Sequence, residues 1–142
     1  MNFGKKFKAI AKKNNLSYQS ASDKIIFVNL TNHQDHDAYI MVDKNNNSCV
    51  RIWLFTHIAF NPSCPDKWKS INKLNLNVKY CRIAIVPNKE LGAEIVLIDE
   101  VFHGKKTVCR TINAIKRLIT TFSDNWEELQ IAKNGTQNES KC

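Results

Sequence analysis

Apolar positions along this chain repeat with two different periods, and the changes of period divide it into elements. Phe3, Phe7, Ile10 and Ala11 fall at helical spacing with lysines between them. That spacing predicts an amphipathic helix over residues 3–14, closed by Asn14 and Asn15. Three strands are expected next: Lys24 to Leu30, rich in Ile, Phe and Val, then Ala38 to Asp43, then Cys49 to Phe55. The last of these is the most continuously apolar, which predicts a central place in the sheet. Lys44-Asn45-Asn46-Asn47 has the chemistry of a hairpin connection.

Asn61 to Asp66 interrupts the pattern. Ser63 is the expected N-cap of a middle helix, with Pro65 and Asp66 in its first turn. There the proline loses no hydrogen bond and the carboxylate suits the helix dipole. Trp68, Ile71, Leu74 and Leu76 are expected on its buried side. Tyr80 to Val86 and Ala93 to Val101 read as a hairpin across Pro87 to Gly92. Finally Val108, Ile112, Ile115, Ile119, Phe122, Trp126 and Leu129 alternate in steps of four and three, one apolar stripe along a single long helix. Such a stripe serves either a coiled coil or the chain's own sheet. The flanking positions lack alternating opposite charges, so packing on the sheet is the expectation. The fold class is therefore α+β: a five-stranded antiparallel sheet in the order α-βββ-α-ββ-α, with the helices packed on it. Residues 1–132 are expected to form one domain and 133–142 a polar, disordered tail.

The 142 residues suffice for a core without disulfide or metal staples. Net charge is +8, and part of it is local: Lys5, Lys6, Lys8, Lys12 and Lys13 share the first fifteen residues with no acid among them. These five are either the wet face of a helix or a partner-binding surface for something negative. The five cysteines (Cys49, Cys64, Cys81, Cys109, Cys142) are scattered, odd in number and free of any CxxC pair, the pattern of neither a disulfide framework nor a zinc site. Lys12 and Lys13 break any apolar run after Ile10, and no segment approaches the roughly 20 apolar residues of a membrane span. A reduced, cytoplasmic chain with no membrane partner is the expectation.

Chemistry-bearing groups are sparse. His33 and His36 with Asp35 and Asp37 form the one cluster of metal-capable residues, and a polar surface loop is the preferred reading over a metal site. Cys81 and Cys109 fall in apolar periodic segments, where cysteine behaves as a small buried hydrophobe rather than a nucleophile. The four glycines are isolated, so there is no phosphate loop. Asp99 and Glu100, adjacent on a strand, face opposite sides. No catalytic residue, cofactor or metal is assigned, and an enzyme is not expected. Phe27, Trp53, Phe55, Trp68, Phe122 and Trp126 lie within apolar faces, and the RNP pattern of RNA-binding sheets is absent.

From Trp68 to Leu129 the chain resembles the YbjN-like family, whose fold is shared with type III secretion chaperones. The likeness rests on Asn72-Lys73-Leu74-Asn75, which closes the middle helix, and on the hairpin segments Arg82-Ile83-Ala84-Ile85-Val86 and Glu94-Ile95-Val96-Leu97-Ile98. A long last helix follows them. The resemblance implies an antiparallel five-stranded sheet, no cofactor, protein or peptide clients, a regulatory role and homodimerisation. The expected function is a chaperone-like adaptor whose apolar groove or sheet edge accepts a partner segment. The alternative is a basic module binding nucleic acid or an acidic partner through the first helix.

Overall fold

The structure, a computed structural model, describes residues 2–30 and 38–134, with side chains described as far as residue 130. His33, His36, Asp35 and Asp37 lie outside the described residues. The elements are α1 (Phe3–Lys13), β1 (Tyr18–Ser20), β2 (Ile25–Asn29), β3 (Tyr39–Asp43), β4 (Cys49–Ala59), α2 (Pro65–Asn77), β5 (Arg82–Asn88), β6 (Gly92–Phe102), α3 (Thr107–Asp124) and α4 (Trp126–Asn134). All pairings are antiparallel, in the order β1-β2-β3-β4-β6-β5.

The α+β class and antiparallel sheet stand as expected, but the sheet has six strands rather than five. The added strand, Tyr18-Gln19-Ser20, carries no apolar alternation. It exists because its backbone completes the edge of β2, with Tyr18 opposite Val28. The Tyr18 ring also meets Phe7 edge-on at 5.9 Å. The single long last helix is two helices. The Asn125 side chain donates back to the Thr121 carbonyl at 2.8 Å, and such a local bond competes with helix continuation. The apolar stripe nevertheless survives the break: Val108, Ile112, Ile115, Phe122 and Leu129 are all buried.

The middle helix begins one residue later than expected, with Cys64 at the N-cap and Pro65 in the first turn. Ile71 and Leu74 are buried, but Leu76 is 87% exposed because a residue two beyond Leu74 lies off that face. Trp68 is partly exposed. Its indole N–H donates to the Pro62 carbonyl at 2.8 Å, and its ring packs edge-on against Phe60. The connection between β5 and β6 is tighter than expected, so Pro87 lies within β5 opposite Ala93. That is tolerable because β5 is an edge strand. Gly92 closes the turn at φ 80°, a value that suits a residue without Cβ.

One hydrophobic cluster joins α1, α2, α3 and α4 to a single face of the sheet. Phe7, Ile71, Ile115 and Leu129 meet Val28, Ile40, Ile52, Leu54, Ile83, Ile95 and Leu97 there. At the β5 edge the Asn75 side chain both donates to the Ile83 carbonyl (3.0 Å) and accepts from the Ile83 N–H (2.6 Å). It takes the place of the backbone that a further strand would offer. The partner asparagine, Asn72, is exposed.

Two substitutions test this arrangement by thermal or denaturant melting. Ile115→Asp puts an unpaired carboxylate in the core, with an expected loss of about 4 kcal/mol. Asn75→Ala leaves the Ile83 groups without their partner, for a loss of about 1–3 kcal/mol, while Asn72→Ala stays within about 0.5 kcal/mol. Equal effects at the two asparagines would mean that the edge bonds contribute nothing.

Candidate functional site

β4 and β6 carry apolar residues on both faces, and the described helices cover only one. On the other face the register lines up side chains across five strands. Phe27 stands opposite Met41, Met41 opposite Trp53, and Trp53 opposite Ile98. In the next row Tyr39 stands opposite Phe55, Phe55 opposite Val96, and Val96 opposite Ala84. Residues directly opposite share a face, so these form a continuous apolar floor. None of them belongs to the helix-covered cluster. The Tyr39 and Phe55 rings stack with centroids 5.0 Å apart, Trp53 and Phe55 lie 6.1 Å apart, and Phe27 meets Tyr39 at 5.9 Å. Phe27, Trp53 and Phe55 do lie in an apolar face, as expected, but it is the one that no described helix covers.

Charged groups of both signs border this floor. At one end Glu100 accepts from Arg51 at 3.0 Å and lies 3.6 Å from Arg82, tying three adjacent strands together. The Arg51 guanidinium also sits 5.7 Å from the centre of the Trp53 ring. At the other end β4 gains residues against β6 between Phe55 and Ala59, and His57 sits there at φ 56°. The Thr56 hydroxyl donates to the Ile95 carbonyl at 2.6 Å and accepts from the Ile58 N–H, holding the irregularity. Glu94, only 4% exposed, accepts from the His57 N–H at 3.0 Å and from the Asn88 amide at 2.9 Å. Burial, and secondarily the Glu94 charge, pushes the Tyr39 phenol above its usual pKa. Asp99 faces the opposite, helix-covered side, as the strand alternation requires, and meets Arg117 of α3 at 3.5 Å.

The five lysines of the first helix separate. Phe3, Phe7 and Ala11 anchor α1, with Ile10 partly buried. Lys12 and Lys13 occupy its last turn, where they complement the helix dipole. Lys5 and Lys8 line an open cleft of about 680 Å³, together with Lys24 and Lys44. Lys6 lines a neighbouring cleft of about 440 Å³, together with Lys44, Lys106 and His103. Sequence reasoning missed Lys24, Lys44 and Lys106 because only the fold brings them to α1. The composition of β4 and β6, with apolar residues at consecutive positions such as Ile52 to Phe55 and Ile95 to Ile98, was the available signal for the open face.

Among the described residues no group of three or more His, Cys, Asp and Glu is placed to hold a metal ion. Cys109 is exposed rather than buried, because it lies on the outward side of α3 beside the stripe. Cys81 is half-buried, and burial, with help from Asp99, pushes its thiol up to about 11. A thiol needs its thiolate form to react. Alkylation followed by mass spectrometry should therefore modify Cys109 first at pH 7. Cys81 should react slowly, its rate rising about tenfold per pH unit up to pH 10. Comparable rates for both at pH 7 would contradict the Cys81 environment.

No family model matches the chain, and no curated protein matches it in sequence. A solved structure does match: the crystal structure of YbjN from E. coli, titled a proposed transcription regulator. The match has a TM-score of 0.57 and 8% identity, over 85% of this chain and 89% of that one. At that identity the likeness concerns the fold, and the chain has a YbjN-like fold.

Proposed function

We propose that this chain is a non-enzymatic protein-binding adaptor whose open sheet face receives an amphipathic helix of a partner protein. The observation that carries this reading is the partly exposed floor of Phe27, Tyr39, Met41, Trp53, Phe55 and Ala84 beside the buried Val96 and Ile98, which no described helix covers. The same chain covers the other face with α3, whose apolar stripe meets an equally apolar floor. Five strands at about 4.8 Å spacing span roughly 19 Å, the length of about 13 helical residues. Arg51 and Arg82 against Asp43 and Glu100 give the rim both signs of charge. That suits a helix with mixed flanking charges better than a polyanion.

A sheet edge is the weaker route. Asn75 already occupies the Ile83 groups of β5, Pro87 interrupts the strand beyond, and β1 offers three residues. The adaptor reading therefore rests on the face and not on strand addition.

The test places a photo-crosslinking residue at Phe55 in the native host and compares Phe55→Asp and Trp53→Ala. The expected result is a discrete crosslinked protein whose affinity falls about 30-fold or more with Trp53→Ala, as for an aromatic anchor. Melting should change far less than with Ile115→Asp. A melting loss matching Ile115→Asp would make the face ordinary core and sink the proposal. Crosslinks only to a second copy of this chain, with dimers in sedimentation, would replace the partner by self-association.

A further inference from the structure

Six lysines from separate parts of the chain line two adjoining clefts beside α1. Lys5, Lys6 and Lys8 come from the helix, Lys24 from the turn before β2, Lys44 from the end of β3 and Lys106 from the start of α3. The two clefts that they line share Phe3 and Lys44, so they adjoin. Asp23 is the one acidic residue in either lining. None of the six lysines makes an ion pair among the described residues. Like charges held together without partners repel one another, and a bound polyanion relieves that repulsion.

We infer that these adjoining clefts bind nucleic acid through its phosphate backbone, without reading bases. A single phosphate would engage one cleft, whereas cations spread over both match a chain of phosphates. Every cation among the six is a lysine, a compact point charge without the planar fork that arginine uses for base edges. The ring in the clefts, Phe3, is buried beneath the Lys44 ammonium at 5.0 Å, so it offers no stacking surface. The aromatic floor described above lies on the far side of the sheet with balanced charge, so the two sites stand or fall separately.

Fluorescence anisotropy of the full chain with a labelled random single-stranded DNA 20-mer tests the inference. The expected log–log salt slope is about −4, from six neutralised phosphates on a single strand. Lys44→Gln with Lys106→Gln should weaken binding more than about tenfold at about 50 mM salt and make the slope shallower by about 1.4. Lys12→Gln with Lys13→Gln, outside both clefts, should change affinity less than about twofold, and oligonucleotides of different sequence should bind alike. Polyglutamate of matched charge should displace the DNA more weakly than unlabelled DNA does. A slope shallower than about −1, an equal loss from the Lys12 and Lys13 pair, or equal displacement by polyglutamate would each overturn the inference.

Discussion

Everything in this fold is arranged around the pairing of β4 with β6. Both strands run for eleven residues, both lie inside the sheet, and both carry apolar residues on each face. Such a pair must be shielded from water on two sides, and the chain supplies helices for one. α3 meets both strands with Ile112, Ile115 and Leu118, and α1 packs on α3. On the other side Val96 and Ile98 are buried although no described helix lies over them. The large neighbours Trp53 and Phe55 share that work across the strand pairs and stay partly exposed themselves. The partly exposed aromatics are thus the remainder of a covering problem that the helices solve on one face only.

Much of this was legible from periodicity. The α3 stripe, the anchoring of α1 by Phe3 and Phe7, and the inner position of β4 follow from spacing and apolar continuity, which are local properties. Asn75 also stood out, within Asn72-Lys73-Leu74-Asn75, and the structure separates a side chain that fills the sheet edge from one that faces water. What escaped detection depends on distant residues. β1 is a strand only because β2 is beside it. The break at Asn125 arises from one side chain competing with the backbone, too weak a signal against a continuous stripe. The open face was hidden because apolar runs do not state which of two sides will be covered, and the lysine clefts because Lys24, Lys44 and Lys106 are brought to the first helix only by the fold.

The net charge of +8 gains a location. The sheet divides the molecule into a side where charges of both signs border an apolar floor and a side where lysines cluster unpaired around α1. Long-range attraction will orient a polyanion toward the second side before contact, and salt will weaken that steering. A contact on the first side would depend on shape and apolar area and be less sensitive to salt.

The irregularity around His57 bears on how this sheet can change over time. Between Phe55 and Ala59 the chain takes four steps along β4 against two from Val96 to Glu94 along β6, a surplus of two. An even surplus preserves the alternation of faces, which is why Ile58 still points into the core beyond it. Losing one residue here would turn Ile58 outward and draw His57 inward, whereas losing two would remove the kink and leave the faces as they are. Removing two residues from this stretch of β4 is thus the change that restores plain alternation, whereas removing one leaves an ordinary single-residue bulge that must turn one side chain over.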